Sequence, residues 1–324
     1  MFRTFPQIFW KVERFLALIL SSFWGTVRLT IALSLLIWLG VMQSAILGHF
    51  ESHISHEFVF SNAVPLASFN NTVTNTVDFR VITHPPAQLV KYVSVSHNVL
   101  PLGILKRNII NKKTAVIKIP LLPEGDWTIA NVGVVPNGEQ ITITRASCEH
   151  LPSVKNIWHN NTIDFLDLAV LPTPWSTKHV KLVSSPHLAT PGNTAVMKFA
   201  EFAHNISVID KETEIYQHLQ GSEVAPRFLG HVTENRGSRV VGFLIEYVEP
   251  RPQKGVPNLF TGARDERCND ALASLHELGI AHNDAYPRNC LIRQNGKAVL
   301  IDFDQATRGK GDFSRDMALM NTAA

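Results

Sequence analysis

The chain has 324 residues, 45% of them hydrophobic and 18% charged, enough to bury a full core and to hold one large or two small domains. A net charge of +3, with no basic run interleaved with aromatics, gives no case for a nucleic-acid partner. Three widely spaced cysteines, Cys148, Cys268 and Cys290, without a C-x-x-C pair, indicate neither a disulfide scaffold nor a zinc site, and Cys290 reads as a small buried residue.

From Leu29 to Phe50 the chain carries no Lys, Arg, Asp or Glu, and its centre is Ile31-Ala-Leu-Ser-Leu-Leu-Ile-Trp-Leu-Gly-Val-Met42. A run of about 20 apolar residues suits a membrane helix, so residues 29–49 are expected to span a bilayer within an anchor of residues 1–50. Arg3, Lys11, Arg14 and Arg28 precede the run, and no Lys or Arg follows before Arg80. The positive-inside rule then makes this a single-pass protein with a cytoplasmic N-terminus. A buried helix, or an over-extended gene start, would read the same way. Asn70, Asn160 and Asn205 each open an N-x-S/T sequon, a number that chance alone supplies in a chain this rich in Asn.

Residues 51–77 are polar, rich in Asn, Ser and Thr, and read as a linker. Residues 78–176 alternate short apolar runs with turn signals and are expected to form a β-rich extension. Thr114-Ala-Val-Ile-Lys-Ile119 reads as one strand, and Pro136-Asn-Gly138 ahead of Gln140-Ile-Thr-Ile-Thr144 predicts a hairpin. Residues 177–324 form a second region. His179-Val-Lys-Leu-Val183 and Thr194-Ala-Val-Met-Lys-Phe199 alternate like paired strands, joined by Ser184 to Gly192. Lys211 to Leu219 suits a helix with Asp210 as its N-cap, and Arg239 to Val248 is a β-prone run. Asp265 to Leu278 reads as an amphipathic helix, ended by Gly279.

The chemistry lies beyond that helix. Ala281-His-Asn-Asp-Ala-Tyr-Pro-Arg-Asn-Cys-Leu-Ile292 reads H-x-D-x-x-x-x-N, and Val299-Leu-Ile-Asp-Phe-Asp304 follows after a turn. Phosphoryl transfer needs such a set: one carboxylate facing a hydroxyl, and an amide oxygen with a second carboxylate to hold a metal on the phosphates. With the strand lysine Lys198 and a following helix that carries Glu212 and Glu214, the order of elements resembles the protein-kinase-like superfamily. It looks most like small fungal kinase-like proteins between protein kinases and aminoglycoside-phosphotransferase-type kinases. Pro123 to Trp127 and Glu212 to Leu219 resemble segments of those proteins as well.

The resemblance is good over residues 178–307. It implies an α+β fold: a minimal two-lobed kinase-like domain with a β-rich N-terminal extension, here joined to the expected membrane helix. It implies ATP and Mg2+, with transfer of the γ-phosphoryl group to a hydroxyl of a protein or a small molecule. Asp284 would be the catalytic base, Lys198 would hold phosphates, Glu214 (Glu212 second) would pair with Lys198, and Arg288 would meet phosphate or substrate charge or form a structural ion pair. Asn289 and Asp302 would hold the metal, and His282 would pack the loop. Ile245 would back the base pocket, and the backbone of Glu246 and Val248 would pair with adenine. The pattern also departs from that of the protein kinases. No G-x-G-x-x-G precedes Lys198, Asp304 stands where DFG has Gly, Tyr286 stands where a Lys is usual, and only 22 residues follow Asp302. A pseudokinase, anchored at the membrane and acting as a nucleotide-binding or scaffolding module, is the alternative.

Overall fold

A computed structural model describes residues 55–84, 88–99, 114–135, 140–249, 265–309 and 311–322. The chain falls into two compact units, and the larger, residues 60–99 with 119–324, contains everything discussed below apart from the strands β1 (Ser55–Phe60) and β5 (Thr114–Ile119), which pair with each other.

Two sheets build the first part of the larger unit. The strands β2 (Ala63–Asn71), β3 (Thr76–Thr83) and β4 (Val90–Ser96) are followed by β6 (Ile129–Val134) and β7 (Ile141–Ser147) in one five-stranded sheet of order β2-β3-β4-β6-β7. β6 and β7 pair antiparallel, as the Asn-Gly signal between them requires. A linker over residues 51–77 is not what forms, because β2 falls inside it.

The second sheet starts before residue 177. It contains β8 (Thr162–Asp164), β9 (Ala169–Leu171), β10 (Val180–Ser184), β11 (Thr194–Phe199), β12 (Phe228–Glu234) and β13 (Arg239–Glu246), ordered β8-β12-β13-β11-β10-β9. Alternation along β11 buries Ala195, Met197 and Phe199 and turns Val196 and Lys198 to the opposite face. Gly242 lets β13 lie against it: a Cβ there would meet the carbonyl oxygen of Lys198 at 2.5 Å.

The helix α1 (Ile206–His218) follows β11 and presses Ile206, Ile209, Ile215 and Tyr216 into the core. It begins five residues before the expected start, so Asp210 lies inside it and accepts from the backbone N–H groups of Lys155 and Asn156 instead of capping. After β13 come α2 (Glu266–Glu277), β14 (Ile280–Ala281), β15 (Cys290–Ile292), β16 (Ala298–Leu300), β17 (Thr307–Arg308) and α3 (Phe313–Met320). α2 is capped by Asp265 and stops at Gly279, whose φ of 73° needs glycine. Leu272 and Leu275 of α2 are fully buried beside β16.

Four expectations are corrected here. Among the described residues the chain is β-rich with three α-helices, and none of them is long and apolar enough to cross a membrane. The membrane helix, the single-pass localisation and the membrane as partner therefore have no support; residues 29–49, on which they rested, lie outside the described residues. Cys268 of α2 and Cys290 of β15 form a disulfide with Cα atoms 6.0 Å apart, where sequence spacing indicated none. The reason is tertiary: α2 packs on the β15–β16 hairpin and brings together two cysteines 22 positions apart. Cys148 remains free and exposed.

Candidate active site

The site starts from Lys198. β11 aims its ammonium at two carboxylates, Glu212 Oε1 at 2.6 Å and Asp302 Oδ1 at 2.8 Å. Burial alone would lower the lysine pKa, but the charges of Glu212 and Asp302 outweigh it and hold the group above the ordinary lysine value. Burial likewise opposes ionisation of Asp302, and the Lys198 ammonium overrides it, leaving the carboxyl below its usual range. Glu212 also accepts from the backbone N–H of Phe303 at 3.1 Å, so one buried carboxylate ties α1 to both β11 and the Asp302 segment.

The expected partner, Glu214, is not there. It is exposed, because two residues along a helix turn a side chain about 200° from the face that holds Glu212. Asp302 has φ 68° and ψ 63°, a left-handed conformation that costs a non-glycine residue about 1 kcal/mol or more and that here turns its carboxylate to Lys198.

Between β14 and β15, residues 282–289 bring Asp284, Arg288 and Asn289 together. Asn289 donates through Nδ2 to the Asp284 backbone oxygen and to Asp284 Oδ2, both at 2.8 Å. Arg288 Nη2 lies 3.1 Å from both Asp284 oxygens and its guanidinium 4.2 Å above the Tyr286 ring. Its side chain is 56% exposed, so it borders solvent beside the carboxylate.

Buried Asp316 on α3 fixes the start of the loop. It accepts from the backbone N–H groups of His282 and Asn283, at 2.7 and 2.8 Å, and lies 3.1 Å from His276 Nε2. Sequence reading missed it; a lone Asp in a short apolar helix carries no chemical motif. His282 is fully buried against Phe303, with Nε2 3.0 Å from the Ile301 oxygen, and burial pushes its pKa down. It serves as packing, as expected.

A cavity of about 430 Å³ opens above these groups. Its lining is mostly apolar, with Val180, Val196, Ile245, Val248, Leu291 and Ile301, and it also carries Lys198, Arg288, Asn289 and Asp302. Ile245, Glu246 and Val248 line it where the connection out of β13 begins. Glu246 is clasped by Arg293 of the following hairpin, Nη1 to Oε1 at 2.6 Å and Nη2 to Oε2 at 2.9 Å, and this bidentate bond holds its carboxyl below the usual range.

The loop beside the cavity is the one between β9 and β10. β9 precedes β10 in the sheet, paired Leu171 with Leu182, so the turn beside the cavity is Pro172-Thr-Pro-Trp-Ser-Thr-Lys-His179, and it contributes Trp175 and Thr177. The segment Ser184 to Gly192 joins β10 to β11 and contributes no lining residue.

A lysine–carboxylate pair, a loop aspartate and an asparagine around one cavity resemble the parts that kinase-like phosphotransferases use. Residues 259–321 match the family model described as the lipopolysaccharide kinase (Kdo/WaaP) family, a kinase family of the protein-kinase-like superfamily. The matched stretch contains Asp284, Asn289 and Asp302 but not Lys198 or Glu212. No curated protein matches the chain.

Proposed function

We propose that the protein is an ATP- and Mg2+-dependent phosphotransferase that moves the γ-phosphoryl group to a hydroxyl of a small molecule or a protein. The observation that carries this reading is the cavity: a largely apolar lining suited to a base is joined in one pocket by Lys198 and Asp302 of the Lys198–Glu212–Asp302 cluster. Lys198 holds phosphate oxygens, and Glu212 keeps its ammonium in place. Asp284 receives the proton of the attacking hydroxyl, oriented by Asn289 Nδ2 and Arg288. On this reading the backbone of Glu246 and Val248, which line the cavity, would pair with the base edge.

The residues also fit a divalent cation. Asn289 spends its amide N–H₂ on Asp284, and Asp302 spends one oxygen on Lys198, leaving Asn289 Oδ1 and Asp302 Oδ2 as acceptors. Among the described residues no group of three or more His, Cys, Asp or Glu is placed to hold a metal ion, so two protein oxygens would share the cation with substrate phosphates, as is usual for Mg2+. Bound there, Mg2+ would neutralise charge on the phosphate oxygens.

Purified full-length protein should turn over ATP in the presence of Mg2+. Asp284→Asn should lower that rate by about 10²–10⁴-fold while nucleotide binding persists. Equal rates for wild type and variant would overturn the enzyme reading. Mg-ATP stabilisation without turnover would support the alternative, a nucleotide-binding pseudokinase, which the glycine-free loop favours.

A further inference from the structure

The loop beside the cavity is poorly built as a phosphate cradle, with no glycine and with two prolines. Such a cradle presents free backbone N–H groups and needs close backbone approach. Pro172 and Pro174 have no N–H. Ser176 N–H donates to the Thr173 oxygen, Thr177 N–H to the Val180 oxygen, and His179 N–H to Thr177 Oγ1. Thr173 and Ser176 are further tied by their hydroxyls at 2.7 Å. The loop is a pair of closed turns, stiffened by its prolines, with Trp175 between Pro174 and Ser176.

Trp175 is also the loop's large contribution to the cavity. Its indole lines the slot and lies nearly parallel to Tyr247, with ring centroids 6.2 Å apart and planes at 16°. Tyr247 follows Glu246, so Trp175 in the middle of the loop meets the connection out of β13, while the loop's last residue, His179, accepts from the backbone N–H of Phe199 beside Lys198.

We propose that Trp175, braced by Tyr247, is the nucleobase-binding residue, and that the Pro172–His179 loop clamps a purine base instead of enclosing phosphates. The proposal rests on the nucleotide reading above. It assigns the phosphates to Lys198 and Arg288 and places much of the affinity in the base. Stacking of a base on an aromatic ring by this route should be worth about 10-fold or more in affinity.

Isothermal titration of the full chain with Mg-ATP, adenosine and inorganic tripolyphosphate tests it. Trp175→Ala should weaken ATP and adenosine about equally, roughly 10-fold or more, and leave tripolyphosphate unchanged; Trp175→Phe should retain most of the affinity, which guards against a folding defect. If Trp175→Ala binds ATP as the wild type does, or loses tripolyphosphate along with ATP, the proposal is overturned while the nucleotide reading stands. If the wild type binds neither ATP nor adenosine, both fall.

Discussion

Glu212 and Glu214 differ by two positions on α1, and burial separates them completely. Glu212 is 1% exposed and paired with Lys198, so Glu212→Gln should cost about 2–3 kcal/mol in urea unfolding, less than orphaning a buried ion because Asp302 still faces the lysine. Glu214→Gln should stay within about 0.5 kcal/mol. The sequence pattern left both open, since it shows that a helix carries a carboxylate but not which way the helix rolls. Asp284, Asn289 and Asp302 were legible because their spacing is itself the chemistry. Asp316 was not, because its role is to accept two backbone N–H groups that no motif announces. His231 offers a pH test. Packed against Trp158, His159 and Phe228, it is driven by burial from 6.5 down to about 4. The unfolded chain takes up this proton first, so stability should fall as pH drops from 6.5 toward 4. His231→Gln should flatten that part of a urea-midpoint profile; an unchanged slope would refute the assignment.

Among the elements, short strands were the ones hidden. β9 has three residues, too few to show a period of two, and without it nothing in the sequence marks residues 172–179 as a turn between two paired strands. β11 was read to its ends because alternation runs through all six of its residues. The disulfide was hidden for another reason: Cys268 and Cys290 meet only once α2 lies on the β15–β16 hairpin. It closes a 22-residue separation and joins the helix to the residue after Asn289. Converting Cys268 and Cys290 together to Ala should therefore lower the unfolding free energy by about 3 kcal/mol, and a reductant should do the same to the wild type but not to the variant. A reductant-insensitive wild type would mean that the bond does not form.

At the scale of the larger unit, the five-stranded sheet is fastened to the lysine-bearing sheet by buried charge. Arg80 of β3 meets Glu234 of β12 at 2.6 Å, and Tyr92 and Arg239 complete the cluster. Arg80 also lies 5.4 Å from the ring centre of Phe199, the neighbour of Lys198. Arg80→Met should cost about 3 kcal/mol or more and keep a single unfolding transition; two separated transitions would show that the sheets fold independently. Composition revealed a β-rich stretch here but not its attachment, because a buried ion pair between residues 154 positions apart leaves no local pattern. The Glu246–Arg293 clasp has its own consequence at this scale. It ties the last residue of β13 to the β15–β16 hairpin, two elements that both line the cavity, with two charged hydrogen bonds. With both side chains about one-quarter exposed, the fastening is within reach of dissolved ions. The cleft is thus tuned by its solvent: added salt should loosen the jaws and quicken nucleotide escape, and a charge-free Glu246→Gln variant should lose that sensitivity.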